Sequence, residues 1–169
     1  MPDKKTLQRA KRDKEEGKAA STQAGEFIRE EFHHIRQGKH GARSPQQAIA
    51  IGLSKARRSG VELKPPAPGQ QSESTRHKAE RDYERGHEAP RTRRATTKRR
   101  TASARALKRE SHGSASHSAI GAQAHRSATR RSRTQRSAAA RHAARTKGSQ
   151  GRSAAAKKAA RTRASRSRS

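Results

Sequence analysis

STQAGEFIREEFHHIRQG, residues 21–38, is the stretch on which the fold of this chain turns. At 3.6 residues per turn Ala24, Phe27, Ile28, Phe32 and Ile35 project within about 140° of one face. Glu26, Arg29, Glu30, His33 and Arg36 fall on the other. Thr22 is placed to cap the start, and Gly38 to follow the end. An apolar stripe of this kind needs another element to cover it.

The following segment, SPQQAIAIGLSKARRSG, residues 44–60, supplies that element. Ser44 as N-cap, Pro45 at N1 and Gln47 at N3 make a capping box, and the proline sits where its missing N–H costs nothing. Ala48, Ile49, Gly52, Leu53 and Ala56 share a face, with Ala48, Gly52 and Ala56 as a row of small residues. An interior glycine costs about 1 kcal/mol against alanine, so Gly52 predicts close helix approach. The two segments predict an αα-hairpin, with Ile51 directed elsewhere, toward Val61 or Leu63.

Residues 1–20 read as a charged N-terminal helix or arm, with Asp3 as N-cap, Gly17 past the end, and only Leu7 and Ala10 as a stripe. Residues 65–88 read as a Pro-rich linker (PPAPGQ) and a charged segment in which only Ala79 and Tyr83 offer docking. The expected fold class is mostly α in residues 1–88, a small hairpin module at 21–64 with no sheet. Residues 89–169 are expected to be a disordered tail rich in Arg, Ala and Ser.

Composition underlies that division. Leu, Ile, Val and Phe number 12 in 169 residues, and nine of them lie between Phe27 and Leu63. So few large apolar side chains with so high a charge signals disorder wherever they are missing. The last 81 residues carry 24 Lys or Arg against one acid, Glu110, while the first 88 carry 19 bases and 13 acids. A tail of one sign cannot neutralise itself and seeks a polyanion. With no cysteine there is no disulfide or thiolate chemistry. No apolar run approaches the roughly 18 residues of a membrane span, and no secretory leader is visible. A soluble, cytoplasmic chain is expected.

The tail cations are the expected nucleic-acid contacts. They begin with Arg91, Arg93, Arg94, Lys98, Arg99, Arg100, Arg105, Lys108 and Arg109. They continue through Arg126, Arg130, Arg131, Arg133, Arg136, Arg141, Arg145 and Lys147. They end with Arg152, Lys157, Lys158, Arg161, Arg163, Arg166 and Arg168. Such side chains neutralise phosphates and release counterions with little regard to base sequence, and arginine grips phosphate oxygens bidentately. Alanine between them lets residues 137–147 and 153–164 turn helical once phosphates screen the repulsion. No aromatic follows Tyr83, so base stacking on a single strand is disfavoured and double-stranded DNA is the preferred partner. RNA phosphates would satisfy the same tail.

Gly38-Lys39-His40-Gly41-Ala42-Arg43 lies just before a helix N-terminus, where backbone amides attract anions. Lys39 and Arg43 are therefore candidate phosphate contacts, as are Lys55, Arg57 and Arg58 on the next helix. The loop lacks the P-loop pattern and is longer than a helix-turn-helix turn. His33, His34 and His40 with Glu30 and Glu31 match no zinc spacing, so no metal and no cofactor is expected. No nucleotide fingerprint follows a strand, and no rigid scaffold orients a Ser–His–acid triad. An enzyme is not expected.

Two resemblances bear on this. The tail, ending AAAKKAARTRASRSRS, resembles the C-terminal tails of linker histones and bacterial histone-like proteins, though it is Arg-rich and nearly free of proline. The front block, MPDKKTLQRAKRDKEEGK with STQAGEFIREEFHHIRQGKHGARSPQQAIAIGLSKARR, resembles a family of small basic bacterial proteins described only as DNA-binding. That resemblance covers roughly residues 1–64 and implies a nucleoid-associated protein of the bacterial cytoplasm, without catalytic residues to carry over. The function expected is histone-like DNA binding without sequence preference. Its alternatives are an RNA-binding or ribosome-associated factor, and an adaptor whose module at 21–64 docks a protein, or a second copy, while the tail only localises it.

Overall fold

A computed structural model describes residues 2–88 and 97–166. Its α-helices are α1 (Lys4–Glu15), α2 (Ala20–Arg36), α3 (Pro45–Arg58), α4 (Glu73–His87), α5 (Thr97–Lys108), α6 (His117–Thr129) and α7 (Arg133–Arg166). A single 3-10 turn spans Gly113–Ala115, and no strand occurs among the described residues. The chain divides into two compact units, Met1–Gln123 and Ala124–Ser169.

In the first unit α2 is the centre: α1, α3 and the 3-10 turn pack on it, and α4 packs on α3. The hairpin of α2 and α3 is present. Phe27 is buried with Ala10, Ala24, Ala56 and Val61, flanked by Leu53 and Leu63. Phe32 and Ile35 pack with Ala42, Ala48 and Ala115, flanked by Ile28, Ile49 and Ile120. Ile51 is half-buried and belongs to neither cluster. Gly52 has the role its spacing implied, since a Cβ there would lie 2.8 Å from Ile28 Cα.

The helix starts differ in part from those expected. Ser44 does accept from Gln47 N at 3.2 Å, and Gln47 Oε1 accepts from Arg43 N at 2.7 Å. Thr22, however, does not cap α2. The helix starts at Ala20, with Thr22 N and Gln23 N donating to Ala19 O and Gln23 Nε2 donating to Lys18 O. Asp3 precedes α1 but makes no side-chain cap. Its carboxylate sits 3.3 Å from His34 Nε2, and this hydrogen bond chiefly holds it below its ordinary pKa.

The disorder expected for residues 89–169 is not found in their described part. That part is helical, and two of its residues complete a core: Ala115 is fully buried and Ile120 packs beside it. Arg36 Nε donates to Ala115 O at 2.9 Å. Composition averaged over 81 residues hid one apolar pair at the right distance from its acceptor surface. In the second unit the reason is different. Ser132 Oγ accepts from Gln135 N at 3.2 Å while Gln135 Oε1 accepts from Ser132 N at 3.0 Å, a reciprocal capping box that starts α7 in an alanine-rich sequence. Gly148, at φ 64 and ψ 178, breaks that helix into two stretches.

α4 is held by Ala79, by Ser54 Oγ donating to Asp82 Oδ2 at 2.5 Å, and by Gly86, where a Cβ would meet Arg57 O at 1.9 Å. Tyr83 OH donates to Glu62 Oε2 at 2.7 Å, and its ring stacks on His87. That hydrogen bond is the main cause of both the raised pKa of Tyr83 and the lowered pKa of Glu62. The contribution of Glu62 to stability is full above its ordinary pKa and is lost as pH falls through the lowered one. That of Tyr83 is full below its ordinary value near 10 and is lost as pH rises through the raised one. Tyr83 is the one tyrosine and there is no tryptophan, so it can be followed alone. Its ultraviolet titration is expected above the free-phenol midpoint, and Glu62→Gln is expected to bring it back down; a wild-type midpoint at the free value would contradict the contact.

Candidate nucleic-acid interface

The second unit carries 15 Lys or Arg and no acid. On α7 every described side chain is exposed except Ala144, which is half-exposed. No apolar side presses the helix onto anything within its own unit. In its first stretch Arg133, Arg136 and Lys147 lie within about 60° of one another at 3.6 residues per turn, and Arg141 and Arg145 on another side. Cations thus occupy about half of the circumference in the first stretch, whereas in the second Arg152, Lys157, Lys158, Arg161 and Arg163 are spread around the helix. Arg141 donates to Ser137 Oγ at 2.9 Å and Arg152 to Ala144 O at 2.6 Å, neutral partners that leave the charge uncompensated. Arg126, Arg130, Arg131, Lys157, Lys158, Arg161 and Arg163 are exposed as well.

Within the first unit Arg105, Lys108 and Arg109 are exposed. Lys98, Arg99 and Arg100 belong to α5 and Arg166 ends α7. Arg91, Arg93, Arg94 and Arg168 lie outside the described residues.

The loop before α3 is differently disposed from what its sequence suggested. Gly41 N donates to Leu107 O at 2.9 Å and Ala42 N to Ser111 O at 3.1 Å. These amides are taken by the end of α5 and the turn after it, so they are not open to a phosphate. The approach is close enough that a Cβ on Gly41 would lie 1.9 Å from Glu110 O. Lys39 remains exposed, and Arg43, with its side chain 82% exposed, lies 3.5 Å from Glu110 Oε1.

Of the three candidates on α3, only Arg58 faces solvent, 3.6 Å from Asp82 Oδ1. Lys55 Nζ is 2.5 Å from Glu31 Oε2 and 3.7 Å from Glu30 Oε1, both on side chains almost wholly buried. Arg57 donates to Leu63 O at 3.1 Å, and burial pushes its pKa down against the opposing charge of Asp82. These two cations hold the module together. Sequence periodicity placed Glu30 on the solvent side of α2; the packing of α1 and the reach of Lys55 bury it, while Arg29 and Arg36 on that side stay exposed. His33 stays at the surface, while Glu31, His34 and His40 come together.

No family model, curated protein or solved structure matches this chain. Among the described residues, no helix is long and apolar enough to cross a membrane.

Proposed function

We propose that this chain is a histone-like protein of the bacterial nucleoid that binds duplex DNA without sequence preference. The observation that carries the reading is the acid-free second unit, whose exposed cations run the length of a helix that buries no face within that unit. Phosphate neutralisation requires only positive charge at reachable spacing, and counterion release then supplies the affinity. Base reading would need side chains fixed in register on a docked element, as in helix-turn-helix proteins. The lack of aromatics beyond Tyr83 favours duplex over single strand. Lys39 adds peripheral charge on the first unit, where Arg43 and Arg58 face Glu110 and Asp82, and that unit supplies a folded body for placement or self-association.

Competition at fixed salt discriminates the partner. Full-length chain bound to labelled duplex is challenged with unlabelled duplex of unrelated sequence, structured RNA and single-stranded DNA. Equal displacement by all duplexes, with single strand several-fold weaker, is expected. Preferential displacement by structured RNA would replace this reading with an RNA-binding one. Retention of a protein by the chain after complete nuclease digestion would favour an adaptor.

A further inference from the structure

We infer that Glu31, His34 and His40 form a binding site for one divalent transition-metal ion of the zinc class. Two of these residues lie on α2 and the third in the loop after it, and one ligand atom from each falls within 4.8 Å of the others. Around a tetrahedral zinc, with ligands at about 2.0–2.1 Å, ligand atoms are about 3.4 Å apart. Glu31 Oε1 and His40 Nε2 are already 3.1 Å apart.

The groups behind the imidazoles decide which nitrogen carries hydrogen. His40 Nδ1 lies 3.0 Å from the carbonyl of Gly41, which can only accept. His34 Nε2 lies 3.3 Å from the carboxylate of Asp3, also an acceptor. With hydrogens there, His40 Nε2 and His34 Nδ1 present lone pairs inward. In the neutral rings they face Glu31 Oε1 at 3.1 Å and Glu30 Oε1 at 3.9 Å, acceptor against acceptor, a contact that either a second ring proton or a metal ion between them relieves. An acceptor behind the ring and a bare nitrogen in front is the arrangement that orients metal-binding histidines.

Charge gives a separate reason. Glu30 and Glu31 are 4% and 1% exposed and share one ammonium, that of Lys55. Glu30 Oε2 accepts from Asp3 N at 3.2 Å, whereas Glu30 Oε1 is buried without a hydrogen bond. With both imidazoles neutral, two buried carboxylates against one cation, with Asp3 beside them, leave surplus negative charge in a medium that tolerates it poorly. A divalent ion offsets it. Two histidines and a carboxylate suit zinc and leave a fourth position for water. Gly41, whose carbonyl orients His40, is itself held by Leu107 O, so metal binding should stabilise the docked first unit.

The test uses full-length chain freed of nucleic acid, with Co2+ as spectroscopic probe and Zn2+ as competitor. One Co2+ per chain is expected, with the visible absorption of a four- or five-coordinate site, displaced by Zn2+. Zn2+ should also raise Tm. His40→Ala, in a half-buried loop position, should lose both responses, with affinity down at least about 100-fold, beyond the 10–100-fold that outer partners carry. His33→Ala, at the exposed neighbouring position, should keep them. Absence of the band in the wild type, or equal binding by wild type and His40→Ala, would overturn the site.

Discussion

Truncation after Gln123 is expected to weaken duplex binding by about 10³-fold at 0.15 M salt and to flatten its salt dependence. The cut removes 15 of the 43 basic residues and no acid. Each phosphate neutralised contributes independently to a steep dependence on salt, so losing several contacts together costs orders of magnitude. The place of the cut matters. Removing everything beyond residue 88 would also take away Ala115, Ile120 and the carbonyls of Leu107 and Ser111, which complete the first unit. Loss of binding after that larger deletion would confuse unfolding with lost charge. Replacing the second-unit cations by Gln in the full chain should reproduce the loss. Unchanged affinity in both variants, by fluorescence anisotropy, would place binding on the first unit.

Phe27→Ala is expected to destabilise the first unit by about 3–5 kcal/mol, a large share of what a small domain has. Phe27 is 1% exposed, and its ring fills the space between α1, α3 and the segment carrying Val61. Few large apolar groups surround it, so little can move in to close the cavity. Leu7→Ala, at a residue 40% exposed, should cost under about 0.5 kcal/mol. Calorimetry separates these variants, because the second unit has no core to give a cooperative heat peak. A Tm for Phe27→Ala within a degree or two of wild type would contradict the assigned core.

Much of the hairpin was legible because periodicity, a capping box and Gly52 all pointed the same way. What escaped was tertiary. Glu30 sits on a position that a lone amphipathic helix gives to water, and only the arrival of α1 and Lys55 makes it interior. The phosphate-ready look of residues 38–43 was a local reading of backbone amides that a distant segment, residues 107–111, consumes. Alanine content pointed to helix in the tail and net charge to disorder. Ser132 with Gln135, a capping box in plain sequence, was the signal that could have tipped the balance.

Phosphate neutralisation by the second unit is the proposed source of affinity. It is tested most directly by titrating full-length chain onto several unrelated duplexes across a series of salt concentrations. If about ten phosphates are neutralised, log Kobs should fall against log salt with a slope of about −9, the same for every duplex. A slope shallower than about −2, or affinities that differ more than tenfold among the duplexes, would contradict it.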